Sequence, residues 1–175
     1  MKKVAVFGAP GAGKSTLSKQ LATMRQLPLY ALDMLFYEVG GGEVPPEVYA
    51  QRHAEILAQD AWLMEGFGNF ETLWPRLAAA DTLVYVDLPF MLHAWWVAKR
   101  FFKGLFATPE GWPDRSPMLE GTLASYRALW GCHRHLTPKY RAYVRESAAS
   151  KPVFHLRSVA DIAHFLVHAA QLKDA

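Results

Sequence analysis

Residues Gly8-Ala9-Pro10-Gly11-Ala12-Gly13-Lys14-Ser15 decide the reading of this chain. The spacing Gly-x4-Gly-Lys-Ser meets the phosphate-loop pattern at every fixed position. It follows an apolar run, Lys3-Val-Ala-Val-Phe7, and precedes a helical pattern, so it has the strand–loop–helix context that the chemistry requires. Glycines at Gly8, Gly11 and Gly13 allow positive φ and close backbone approach to an anion. The amides of the loop, through Ala12, Lys14, Ser15 and Thr16, would form a cradle at a helix N-terminus. Lys14 would reach the β- and γ-phosphates, and the Ser15 hydroxyl would ligate magnesium. A chance match in a chain of this size has odds of about one in a hundred.

Moving outward, helix is expected over 14–25, with Leu17, Leu21 and Met24 at helical spacing. Strands are expected at Leu29–Leu32, Ala61–Met64, Leu83–Val86 and Val153–Leu156. Helices are expected at 46–59, 90–103, 119–148 with breaks near Gly131 and Pro138, and 158–172 with Ser158 as N-cap. Gly40-Gly41-Gly42 and Pro45-Pro46 mark a flexible connection. Residues 104–117, rich in Gly and Pro, read as a loop and a mobile lid. Strand alternating with helix implies an α/β fold, a mostly parallel sheet with helices on both faces. The 175 residues fit one domain with one sizeable core.

Three acids fall at strand ends, where a parallel sheet presents its ligand-binding rim. Glu65 ends one strand and Asp87 another; either could be the second magnesium anchor. A strand-end acid that caps the next turn is the competing role for both. Asp33 lies nineteen residues after Lys14 and closes the second strand. A carboxylate there can orient an acceptor hydroxyl and take its proton. Its competitor is an N-cap for Met34–Glu38.

The net charge of +3 hides an asymmetry. Residues 1–98 carry 7 basic and 10 acidic side chains, whereas 99–157 carry 11 and 4. Such a basic block attracts phosphate groups. Within it, Arg100 is the candidate for stabilising charge on a transferring phosphoryl group. Phe90, Trp95, Trp96, Phe101, Phe102 and Phe106 read as core packing in preference to a stacking platform or an interfacial helix. The seven histidines show no metal spacing. One cysteine, Cys132, excludes an internal disulfide and points to a reducing, cytoplasmic compartment. No stretch is long and uncharged enough to span a bilayer.

These residues resemble the adenylate-kinase-related P-loop kinases, and within them most closely the group known as DNA topology modulation proteins. The stretches that carry the resemblance are 8–15, Leu32-Asp-Met-Leu-Phe36, Trp62-Leu-Met-Glu-Gly66, Ala79 to Asp87 and, more weakly, His155-Leu-Arg-Ser158. The resemblance implies a P-loop NTPase fold with a five-stranded parallel sheet, an acceptor-binding segment over about 34–60 and a lid over about 100–120. It implies ATP and Mg2+ as cofactors, with Glu65 near the metal where relatives carry Asp. It implies that Arg76 binds the acceptor and that Arg157 borders the adenine. Asp33 with Phe36-Tyr37 is also similar to uridine kinases. Together these imply a phosphotransferase acting on a small acceptor: a nucleoside, a nucleotide or another small alcohol. The alternative is a regulatory ATP-binding protein acting on nucleic acid, a partner for which no motif is present. A GTPase switch is a weaker third reading, because no Asn-Lys-x-Asp run is present.

Overall fold

The computed structural model describes residues 1–38, 42–104 and 118–172. Its centre is strand β1 (Lys3–Gly8), whose Val4, Ala5, Val6 and Phe7 are all buried. A strand buried on both sides must be covered on both, and it is. Helix α1 (Lys14–Arg25) follows the loop, then β2 (Leu29–Ala31) and the short α2 (Leu32–Phe36). Helix α3 (Pro46–Leu57), β3 (Trp62–Glu65), α4 (Phe70–Ala79) and β4 (Thr82–Val86) complete the first part. Helix α5 (Phe90–Gly104) leaves β4, and α6 (Met118–Gly131) returns beside it. A π-helical turn (Cys132–Leu136) joins α6 to α7 (Thr137–Ser147), which precedes β5 (Val153–Leu156) and α8 (Val159–Gln171).

The five strands form one sheet in the order β2-β3-β1-β4-β5, and every pairing is parallel. Alternation along the strands divides the core in two. Ala5, Phe7, Trp62, Met64, Leu83 and Tyr85 face α3, α4, α6 and α7. Val4, Val6, Leu63, Val84 and Val86 face α1 and α8 through Leu17, Leu21, Phe165 and Ala169. The register sets Ala31 beside Glu65, Val6 beside Glu65 and Gly8 beside Val86. The carboxyl ends of β1, β2 and β3 therefore share one rim.

Several sequence expectations need correction. The second strand stops at Ala31, and Leu32 with Asp33 opens α2 instead. Asp33 is thus in the first turn of that helix, whose N-cap is Ala31, so Asp33 is not the cap. Met24 is only 39% exposed but lies outside the buried face of α1, which Ser18 and Ala22 complete. Helix α4 contains Pro75, a residue that argues against helix from sequence. Its N-cap Asn69, accepting from Thr72 N at 2.9 Å, and its buried Leu73 and Leu77 override that cost. The expected break at Gly131 and Pro138 is a π-helical turn in a continuous helical path, with Pro138 in the first turn of α7. The N-cap at Ser158 is present as a capping box with Asp161. The lid expected over residues 104–117 lies, apart from Gly104, outside the described residues, as do Gly40 and Gly41.

Candidate active site

The loop between β1 and α1 is held in a conformation that only glycine enters freely. Gly8 has φ +144° and Gly13 has φ +71°. A Cβ on Gly8 would stand 2.2 Å from Val86 O, and one on Gly13 would stand 2.9 Å from the Trp96 ring. The loop is therefore clamped between the end of β4 and helix α5. His93 adds to that clamp: it is buried, and its Nδ1 lies 3.2 Å from Pro10 O. Burial foremost, then the Lys14 charge, keeps the His93 pKa below its ordinary value, against the pull of its hydrogen bonds to Pro10 and Leu88. Nδ1–H of the neutral ring then donates to Pro10 O. Neither His93 nor Trp96 stands out in the sequence as a loop contact, because both sit in an aromatic run that reads as core.

Lys14 Nζ donates to Ala9 O at 2.9 Å, curling the ammonium over the loop. Ala12 is buried in the core, while Thr16 is exposed. Ser15 Oγ donates to Glu65 Oε1 at 3.0 Å across 50 residues of sequence. Glu65 is only 5% exposed. Burial raises its pKa most and the Asp33 charge adds to that, while Lys14, the Ser15 hydrogen bond and Arg76 pull it back; the net shift is upward. A hydroxyl and a carboxylate side by side are the hard oxygen donors that a magnesium ion takes from protein, the remainder coming from water and phosphate. Among the described residues, no group of three or more His, Cys, Asp or Glu could hold a metal by itself.

Asp33 stands against the same rim. Its Oδ1 is 3.1 Å from the point where a Cβ on Gly66 would lie, and Gly66 has φ +103°. Arg76 sits behind this turn, 1% exposed, with Nη2 donating to Gly66 O at 3.1 Å and Nη1 to Phe67 O at 3.4 Å. Its Nε is buried without a hydrogen-bond partner among the described residues. Burial lowers the Arg76 pKa most, against Tyr49, Tyr140, Asp33 and Glu65, which favour the cation. In this geometry Arg76 holds the Gly66–Phe67 turn rather than opening onto solvent. Tyr49 and His53 of α3 are buried beside it. Burial first and the Arg76 charge second bring His53 down to about 4, so it is neutral.

Asp87 has a different environment from Glu65. Arg141 grips it with Nε at 2.8 Å and Nη2 at 3.0 Å, and His155 Nε2 lies 2.8 Å away. Burial would raise its pKa, but Arg141 and His155 together outweigh burial and lower it. Both Asp87 oxygens are engaged by Arg141 and His155, whereas Glu65 is the acid beside the Ser15 hydroxyl. Arg157 is exposed, its Nη2 3.2 Å from His155 Nδ1 and its backbone N–H donating to Asp161. Arg157, Arg145, Arg141, His133 and His155 line a cleft of roughly 930 Å3 that reaches Ala9. Arg100 lies in α5, four residues after Trp96, and its side chain is outside the described residues. No helix among the described residues is long and apolar enough to cross a membrane.

No protein-family model matches the sequence, and no curated protein matches it either. Among solved structures, the chain is similar to a sugar kinase from a Janibacter species, solved without ligand. The two are 16% identical over 97% of this chain and 92% of that one, with a TM-score of 0.51. The fold is thus an α/β fold of the kinase-like kind: a five-stranded, all-parallel sheet flanked by helices. That likeness supports a kinase-like fold and carries nothing toward the DNA topology modulation group.

Proposed function

We propose that the protein is an ATP- and Mg2+-dependent phosphotransferase of the P-loop type, acting on the hydroxyl of a small molecule. The observation that carries this reading is the convergence of Lys14, Ser15, Glu65 and Asp33 on one sheet rim, although they come from three separate parts of the chain. Each feels the next: Ser15 bonds Glu65, and the charges of Lys14 and Asp33 both act on the Glu65 carboxyl. The described similarity to a sugar kinase fits this class.

In this reading the amides of residues 8–16 and Lys14 hold the triphosphate, with Lys14 leaving Ala9 O for a phosphate oxygen. Ser15 and Glu65 would hold the magnesium, which would neutralise phosphate charge when bound. Asp33 accepts the proton of the acceptor hydroxyl and aims its oxygen. Arg76 positions the Gly66–Phe67 turn against which Asp33 rests and so shapes the acceptor side, which α2 and α3 supply. Arg157 would border the base through its backbone, and the charge-stabilising role of Arg100 is a proposal from the sequence alone.

The test is ADP production from ATP and Mg2+ across a panel of nucleosides, nucleoside monophosphates, sugars and sugar alcohols. Strong stimulation by one acceptor establishes the kinase. A second reading, an ATP-binding protein acting on nucleic acid, is favoured by the basic cleft of Arg141, Arg145 and Arg157 alone. Salt-sensitive DNA affinity without stimulation by any acceptor would replace the first reading by the second.

A further inference from the structure

Helices α5 and α6 lie side by side and antiparallel: Phe90 packs on Trp130 at 6.0 Å between ring centres, and Tyr126 OH donates to Ala94 O at 3.0 Å. Met91, Trp95 and Phe102 of α5, and Leu119, Leu123 and Trp130 of α6, are between 49% and 75% exposed. Each residue of a helix turns about 100°. Counted from Ala94, which faces α6, the three α5 residues fall about 60–100° round one side of their helix. Counted from Tyr126, the three α6 residues fall about 20–60° round theirs, in the same rotational sense. In an antiparallel pair, equal senses lead to the same side. The six therefore form one apolar face across both helices. His93 and Trp96, which touch the glycine loop, point the other way round α5, so this face turns away from the loop.

We propose that this face is a self-association surface, occupied by the same face of a second copy of the chain. Three observations select that occupant. Six large side chains exposed to this degree present roughly 700 Å2, more than the ~300–600 Å2 of the largest patch on a typical monomer. That area is close to the ~800 Å2 each partner contributes to a stable interface. The composition, with two tryptophans, a methionine and a phenylalanine and no charge among the six, is that of an interface core. The edge charges are self-complementary. Exposed Glu120 and Arg127 lie along the outer edge of α6, and a two-fold axis between Leu123 and Ala124 sets Glu120 opposite the partner's Arg127, twice.

The test is sedimentation velocity of the full chain at roughly 1–100 µM, paired with flotation on phosphatidylcholine/phosphatidylserine vesicles. A dimer is expected. Leu123→Glu and, separately, Trp95→Ser should each weaken it at least thirtyfold while leaving the circular-dichroism melt cooperative. Glu120→Arg should weaken it several-fold, and adding Arg127→Glu should restore it, a rescue that no loss of folding can imitate. A chain that stays monomeric at the highest concentration overturns the proposal, and vesicle flotation by that monomer would assign the face to lipid instead. A dimer indifferent to both Leu123→Glu and Trp95→Ser also overturns it.

Discussion

Ser15, the second residue of α1, hydrogen-bonds Glu65, the last residue of β3, at 3.0 Å. The contact joins a helix N-terminus to the end of a neighbouring strand, and it sets a buried carboxyl beside a hydroxyl, the pair proposed above to hold magnesium. Glu65→Gln keeps an acceptor for Ser15 but removes the charge. The Mg2+ concentration for half-maximal ADP formation is expected to rise at least tenfold. The same change should stabilise the protein. Glu65 has a raised folded pKa, so its ionisation opposes folding, and wild-type stability falls as pH rises above the ordinary 4.5. Thermal melts should show the variant ahead of wild type at pH 7 and level with it near pH 4.

His53 carries the opposite pH signature. It is buried and held at about 4, against an ordinary 6.5. The unfolded chain binds a proton between those values and the folded chain does not. Stability therefore falls as pH drops from 6.5 to 4, by up to about 3 kcal/mol from this group. Replacing it in His53→Gln should flatten that part of the pH–stability curve, measured by urea unfolding at half-unit steps.

Asp87 links β4 to α7 and β5 through Arg141 and His155. Arg141 is about half exposed, which screens its share. Asp87→Asn should cost about 1–3 kcal/mol at pH 7, seen as a drop in Tm. A lowered folded pKa confers stability above the ordinary 3.8 that is lost as pH falls through the folded value. The difference between variant and wild type should therefore close below that range.

Much of this was legible in the sequence, and the reasons are local. The bounds of α1 and β5 follow from motif and apolar run, and the Ser158 cap from its own chemistry. Glu65 and Asp33 fall on the loop's rim because parallel strands align their carboxyl ends. Helix α4 was not legible, since Pro75 argues against it and only the burial of Leu73 and Leu77 overrules that. Nor could sequence distinguish Glu65 from Asp87: each ends an apolar strand, and what separates them is Arg141, 54 residues from Asp87 in the chain. The aromatic run at 90–106 shows the same limit. Phe90 and Trp96 pack against the cores, whereas Trp95 and Phe102 face solvent, because helical phase and the α6 neighbour decide it.

Gly13 and Trp96 offer a test of the loop clamp. Gly13→Ala should suffer twice, from the left-handed φ of +71° and from the ring 2.9 Å away. The φ penalty alone is about 1–2 kcal/mol. Trp96→Ala removes the ring contact but not the φ penalty. In a double-mutant cycle, Trp96→Ala should recover part of the loss in ATP affinity and stability caused by Gly13→Ala, leaving a residue of about that size. Full additivity would mean that the loop moves away from α5 at no cost.

Lys14 and Asp33 separate the two halves of the proposed reaction. Lys14 meets the donor whatever the acceptor is, so Lys14→Ala should cut turnover at least a thousandfold with every substrate. Asp33 acts only on the acceptor. If the acceptor is an alcohol, Asp33→Asn removes the base and should lower kcat by about a hundred- to ten-thousandfold. Asn is nearly isosteric with Asp, so it fits beside Gly66, and ATP affinity should stay within a few-fold of wild type. A phosphate acceptor is already anionic and needs no base, so with a nucleoside monophosphate the same variant should retain most of its turnover. Measuring kcat for both variants on the stimulating acceptor, with ATP binding followed separately, tells these cases apart. Unchanged turnover in Asp33→Asn on an alcohol removes the base assignment and leaves Asp33 as a support for the Gly66 turn.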